Sequence, residues 1–240
     1  MLAGIVVARA TRDHEGVHLW LPRALQVALI PLAAVALVAG AFDVVADREA
    51  KRVLTRVHAA RIVNDPARGA RLRPDALRYR LVAATAFEAR GSISALDAAL
   101  DQLDRARRVS PKDPIVRSEQ ARLLLERARR TGNQRDRTAA RAALETLRHD
   151  DPRNAQVLLR LGVARALDGD DAGAERAWRT AEDLAPRSAA APTDLAVLYA
   201  RLGRWHDARA AARRALQRDP GSEIARAVLH QADRAAADGT

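Results

Sequence analysis

The sequence predicts an all-α chain, a solenoid of helical hairpins preceded by one N-terminal transmembrane helix. Three observations carry that expectation. Pro152, Pro186 and Pro220 recur every 34 residues, and Gly169 with Gly203, Leu161 with Leu195, Ala174 with Ala208 and Ala181 with Ala215 keep the same interval. A fixed period of this length marks a stacked helical unit that cannot bury its apolar face alone. Ala, Leu and Arg dominate, no stretch alternates in the manner of a strand, and aromatics are only 3% of 240 residues. The core is therefore built from Leu, Val and Ala, which suits close-packed helix pairs. Finally, residues 24–42 read ALQVALIPLAAVALVAGAF, nineteen residues without a charge in a chain that is 30% charged. That is long enough to cross a bilayer as a helix.

Residues 1–23 form an N-terminal polar segment. Within it His14-Glu15-Gly16-Val17-His18 matches H-E-x-x-H, the spacing that puts two imidazoles on one helical face for zinc with a glutamate as general base. A catalytic zinc needs three protein ligands in a shaped cavity. Here Gly16 and Pro22 weaken a helix and no third ligand follows. The segment reads as a loop before the membrane; a small membrane zinc peptidase using His14, Glu15 and His18 is the alternative. Residues 24–45 are the transmembrane anchor. Pro31 is a kink that membrane helices tolerate, and Trp20 and Arg23 flank the near interface. Ala39-Gly40-Ala41 also has the form of a signal-peptide cleavage site. The length of the apolar run and Pro31 favour an uncleaved anchor.

Residues 46–73 are a juxtamembrane helix and linker. Val45, just before it, with Val53, Leu54, Val57 and Ile62 gives an apolar stripe, 64–69 break it, and Pro74 is expected at the start of the next helix. Residues 74–222 make about four repeats, and 223–240 a C-terminal capping helix and tail, with Ser222 as its cap. In the repeats Gly91, Gly132, Gly169 and Gly203 break each unit where a helix–helix turn needs a permissive backbone. Pro at each unit's end stops the second helix. The interval from Pro111 to Pro152 is 41 residues rather than 34. The extra residues are expected in the 111–117 connection and the 131–138 loop.

Two units carry a recognisable order of residues. One has Leu158-x2-Leu161-Gly162, then Ala174-x3-Trp178, then Pro186; the other has Leu195-Ala196-x2-Tyr199, then Ala208, then Pro220. This order resembles the tetratricopeptide repeat. Arg165, Pro192 and Ala212 depart from it, standing where that family prefers Tyr, Trp and Phe. The resemblance implies stacked helix pairs whose first helices line a groove for a protein or peptide partner. Matching faces by repeat register nominates Arg78, Glu88, Arg122, Glu126, Arg129, Gln156, Arg160, Thr193 and Arg201 as the partner-binding groove. Arginines in such a groove can fork onto carboxylates. The Lys/Asn carboxylate clamp of chaperone-binding members is not evident.

Charge and chemistry narrow the function. The formal charge is +11, yet the arginines are spread along the chain. Many have an acid one turn away: Asp101 with Arg105, Asp104 with Arg108, Glu126 with Arg130, Glu175 with Arg179. No basic tract carries interleaved aromatics, so nucleic acid is not an expected partner. Cys is absent, which excludes disulfides and thiolate metal sites. There is no glycine-rich phosphate loop and no nucleophile context. The chain is expected to be non-enzymatic, with no cofactor and no catalytic residue.

A second resemblance runs over most of the chain. A loop ending Leu21-Pro22-Arg23, an Ala/Val-rich span, a juxtamembrane helix, then Pro74-Asp75-Ala76-Leu77-Arg78-Tyr79-Arg80, then Ser110-Pro111-Lys112-Asp113-Pro114 and repeats follow one another. That order is similar to the carboxyl-terminal part of bacterial O-antigen ligase/polymerase-family membrane proteins with tetratricopeptide tails. It implies a single-pass protein of the bacterial cytoplasmic membrane, repeats outside the cytoplasm, and a role in envelope polysaccharide assembly. A truncated remnant of such a protein is a further alternative. The basic residues point the other way: Arg48, Lys51, Arg52, Arg56 and Arg61 follow the span, against Arg9, Arg12 and Arg23 before it.

Overall fold

The structure, a computed structural model, describes residues 23–58 and 64–238, with side chains from residue 38 to 57 and from 64 to 236. The chain divides into two compact units, residues 1–45 and 46–240. Eleven helices are seen among the described residues. They are α1 (Arg23–His58), α2 (Arg68–Leu72), α3 (Leu77–Glu88), α4 (Ile93–Val109), α5 (Pro114–Thr131), α6 (Gln134–Asp150), α7 (Ala155–Leu167), α8 (Asp171–Leu184), α9 (Ala190–Arg201), α10 (Trp205–Arg218) and α11 (Glu223–Asp238).

The helical part of the fold expectation holds. In the second unit, α3 pairs with α4, α5 with α6, α7 with α8 and α9 with α10, and each hairpin stacks on the next. Each pair turns at a glycine of positive φ: Gly91 (71°), Gly132 (63°), Gly169 (82°) and Gly203 (71°). Each second helix ends two residues before a proline, at Val109, Asp150, Leu184 and Arg218. The intervening residue is pushed out of the helical region because the proline ring crowds it; Ser110, for example, has φ −136° and ψ 91°. Polar side chains satisfy the free amides at several starts. Ser92 accepts from Ala95 N–H, Asp113 from Ile115 and Val116, Asn154 from Val157, and Ser222 from Ala225.

The core is Ala- and Leu-rich, as composition demands. Leu96, Leu103, Leu123, Leu144, Leu161 and Leu195 are fully buried between hairpins. Gly162 lets α7 and α8 close on each other: a methyl group there would overlap the Trp178 indole. The indole nitrogen donates to the Leu159 carbonyl at 3.0 Å, so the buried ring leaves no polar atom unpaired. The departures from the repeat pattern are accommodated. Pro192 and Ala212 are buried, and Arg165 reaches out to Glu145 at 2.5 Å and to the Gly173 carbonyl at 3.2 Å.

Three local expectations are corrected. The longer repeat does not place its extra residues in loops. Helices α5 and α6 have 18 and 17 residues where α7 and α8 have 13 and 14. Only Gly132 and Asn133 link them. The helix after the linker starts at Leu77, not at Pro74. The Pro74 carbonyl instead accepts the Arg80 guanidinium at 2.9 and 3.2 Å, and the linker contains the short helix α2. Of the four ion pairs read from helical spacing, Asp101–Arg105, Glu126–Arg130 and Glu175–Arg179 form, at 2.9, 2.7 and 2.7 Å. Asp104 accepts from Gln120 instead.

Helix α1 covers the predicted span, but the side chains of 24–37 lie outside the described residues. Among the described residues no helix is long and apolar enough to cross a membrane. His14, Glu15 and His18 also lie outside the described residues. Farther along α1, Ala46 packs on Ala70 and Tyr79, and Val53 on Ala86. This part of the helix thus packs on the first helix of the first hairpin.

Candidate functional site

Helices α3, α5, α7 and α9, the first of each pair, line one face of the solenoid. Between them lies a hollow of about 320 Å3. Its polar lining is Glu88, Arg122, Glu126, Arg129, Gln156, Arg160 and Asp194; Leu125, Leu159 and Val163 supply apolar surface. A second hollow, also about 320 Å3, shares Arg129, Val163 and Asp194. It extends toward the carboxyl-terminal ends of α7 and α9, past Ala166, Leu198 and the exposed Val197.

The lining follows the repeat. Glu88, Arg122 and Gln156 are 34 residues apart, as are Glu126, Arg160 and Asp194, and Arg129, Val163 and Val197. Equivalent positions on successive first helices bring each trio side by side. The first trio is internally neutralised at one end. Arg122 forks onto both Glu88 oxygens at 2.6 Å and also donates to Glu119 at 2.9 Å. The Glu88 carboxylate, above all, drives the Arg122 pKa further up. Glu126 is taken by Arg130.

The other cations are not so satisfied. Arg160 donates to the Ser118 hydroxyl at 3.3 Å and has no carboxylate in ion-pair range among the described residues. Burial, with the Arg122 charge adding to it, lowers its pKa, partly offset by Glu119. Arg129 is exposed and has no hydrogen-bond or ion-pair partner among the described residues. Asp194 sits at the junction of the two hollows. Burial pushes its carboxyl up to about 6, and the charge of Arg129 opposes that only in part.

Of the nine nominated groove residues, Glu88, Arg122, Glu126, Arg129, Gln156 and Arg160 come together in the first hollow. Arg201 lines the second and is ion-paired with Asp171. Thr193 lines neither; its hydroxyl donates to the Ala189 carbonyl one turn back, at 2.8 Å. Arg78 lies elsewhere, at the junction of α1 and α3. Its guanidinium stacks over the Tyr79 ring, 4.7 Å from the centroid, and pairs with Asp47 at 3.3 Å. Asp194 and Val197 were missed, although the 34-residue register from Arg160 and from Arg129 leads to both.

A stack of α-hairpins with one face lined by first helices defines a tetratricopeptide-type solenoid. A family model for the tetratricopeptide repeat matches residues 193–232, the stretch from α9 into α11. Solved structures share the architecture. A thermophilic tetratricopeptide-repeat protein of Thermus thermophilus, TTC0263, aligns with a TM-score of 0.59 at 18% identity, over 78% of this chain and 98% of that one. MamA from Desulfovibrio magneticus RS-1 aligns with a TM-score of 0.56 at 16% identity, over 76% and 97%. At such identities the likeness is one of fold. No curated protein matches the chain.

Proposed function

We propose that the protein is a non-enzymatic scaffold that holds a protein or peptide partner in the groove between its first helices. The carrying observation is the groove itself: two joined hollows lined by residues in repeat register, with the cations Arg129 and Arg160 lacking carboxylate partners among the described residues. Surfaces of this kind receive extended segments, with pockets giving specificity. Residues 24–45 anchor the scaffold to the bacterial cytoplasmic membrane in this reading. Its support is the uncharged run of 24–42 and the exposed Val38, Phe42, Val44 and Val45 on α1. In this reading the repeats lie outside the cytoplasm and serve polysaccharide assembly; its support is the order of a span, a juxtamembrane helix and repeats along the sequence.

Two measurements test this. An export-dependent reporter enzyme fused after Thr240 is expected to be active; an inactive but stably made fusion places the repeats inside and removes the envelope role. A photo-crosslinking amino acid at Gln156 or Val197 is expected to trap a discrete partner in cells, where one at Arg213 does not. Equal labelling from all three positions overturns the groove.

A further inference from the structure

Beyond residue 45, α1 has two chemically different faces. One, through Ala46, Ala50, Val53 and Val57, packs on α3 and the linker. On the other, Arg48, Arg52 and Arg56 recur every four residues and so share one row, with Lys51 beside it. All four residues are exposed. The side chains of Arg48, Lys51 and Arg56 have no hydrogen-bond or ion-pair partner among the described residues. Beside the row lies a hollow of about 240 Å3, whose polar lining is Arg52 and Arg56 from α1, Arg68 from α2, Glu49, Asn64 and Asp65. Arg52 and Arg68 are drawn together there on one oxygen, Glu49 Oε1, at 3.0 and 3.5 Å. One carboxylate cannot neutralise both, and each guanidinium keeps further N–H donors. Asp65 is held by Arg71. Asp47 is taken by Arg78 at 3.3 Å and by the Tyr79 hydroxyl at 2.8 Å. Around the hollow the six cations Arg48, Lys51, Arg52, Arg56, Arg68 and Arg71 thus stand against Glu49 and Asp65.

The row begins six positions after Phe42, the last residue of the uncharged run. A bilayer containing anionic lipid attracts Lys and Arg next to a span, and the pull fades within about 10 Å of the surface at 0.1 M salt. Resting on the anchor reading above, we propose that this basic face docks on an anionic bilayer, with a phospholipid phosphate seated among Arg52, Arg56 and Arg68. Guanidinium donors fork onto phosphate oxygens as they do onto carboxylates. Docking gives the unpartnered cations their counter-charge. The hollow's lining has no aromatic side chain, which a stacked nucleobase needs.

The full chain is reconstituted in mixed vesicles of phosphatidylcholine and phosphatidylglycerol, and spin-labelled forms of the two lipids report which one the protein immobilises. Two triple variants are compared with wild type. One removes the unpartnered cations of the face, Arg48→Gln, Lys51→Gln and Arg56→Gln, and breaks no ion pair. The other makes the same change of charge on the repeats, Arg153→Gln, Arg187→Gln and Arg213→Gln. A thermal melt of each shows that it is folded. Wild type and the repeat variant are expected to prefer phosphatidylglycerol at least threefold, and the face variant to show no preference. A preference that survives in the face variant, or falls equally in both, overturns the proposal. So does a wild type without preference, and if that protein also resists carbonate extraction from the vesicles the anchor reading stands. Carbonate extraction of wild type overturns the anchor reading and this proposal with it. Loss of preference in inorganic phosphate, but not in chloride of equal ionic strength, assigns the hollow to free phosphate and overturns the lipid.

Discussion

The surroundings of Asp194 change how its carboxyl titrates. An ordinary aspartate titrates near 3.8, and burial lifts this one to about 6. A carboxyl with a raised pKa binds its proton more tightly in the folded chain than in the unfolded one. Between about pH 4 and 6 the unfolded state therefore binds fewer protons, and stability falls as pH rises. Raising the carboxyl from 3.8 to about 6 corresponds to about 3 kcal/mol in a closed site. Access of water to the groove reduces that to about 1–2 kcal/mol. Asp194→Asn keeps the shape and removes the charge. The variant is expected to match wild type in unfolding free energy below pH 4 and to exceed it by about 1–2 kcal/mol above pH 7. Urea unfolding at the two pH values measures this; equal stabilities at pH 8 would show that the carboxylate is hydrated at no cost.

The hairpins are specified locally. Each turn uses a glycine in the left-handed region, and each second helix stops short of a proline. At Gly169 and Gly203 a methyl group would touch nothing within 4 Å, so only backbone strain opposes a side chain there. Gly169→Ala and Gly203→Ala are each expected to cost about 1–2 kcal/mol. The two sites lie in different hairpins, so the double variant is expected to lose the sum. The urea midpoint should fall while the slope stays constant; a single variant with no loss would mean that the turn relaxes to another geometry. Helices α5 and α6 show the limit of local reading. Their extra turns carry no break residue, and the 131–138 stretch looks like a loop only because Thr131, Gly132 and Asn133 cluster there. Asp136 is in fact buried, accepting from Thr131 and ion-paired with Arg127 at 2.9 Å.

Several arginines act across repeats. Arg122 reaches Glu88, Arg127 reaches Asp97, Arg204 reaches Glu175 and Arg214 reaches Glu182, each from one hairpin to the hairpin before it. Part of the positive charge thus joins neighbouring hairpins, and each such partly exposed pair contributes about 1 kcal/mol or less. Burial contributes more. Helix α11 covers the last hairpin through Ala225, Val228 and Ala232, with Val228 packed into the cluster of Leu195, Tyr199, Ala208 and Ala212. In a stack with nearest-neighbour coupling, ending the chain after Pro220 should loosen the end and spare the middle. Amide exchange in α9 and α10 is expected to speed up at least tenfold, with α5 and α6 unchanged. A uniform acceleration along the chain would show instead that the hairpins unfold as one cooperative block.

The sequence by itself determined the helical hairpins, their 34-residue period, their turns and stops, and the helix faces that make the groove. These depend on interactions within a few residues: positive φ at glycine, steric exclusion before proline, and apolar spacing along a helix. Only the tertiary structure decided where the seven additional residues of the second hairpin go. It also decided that Arg78 serves the contact of α1 with α3, that Asp104 turns to Gln120, and that a half-buried Asp194 meets the charge of Arg129. Each of those outcomes depends on which side chains stacking brings together from residues tens of positions apart, and no local preference encodes that distance.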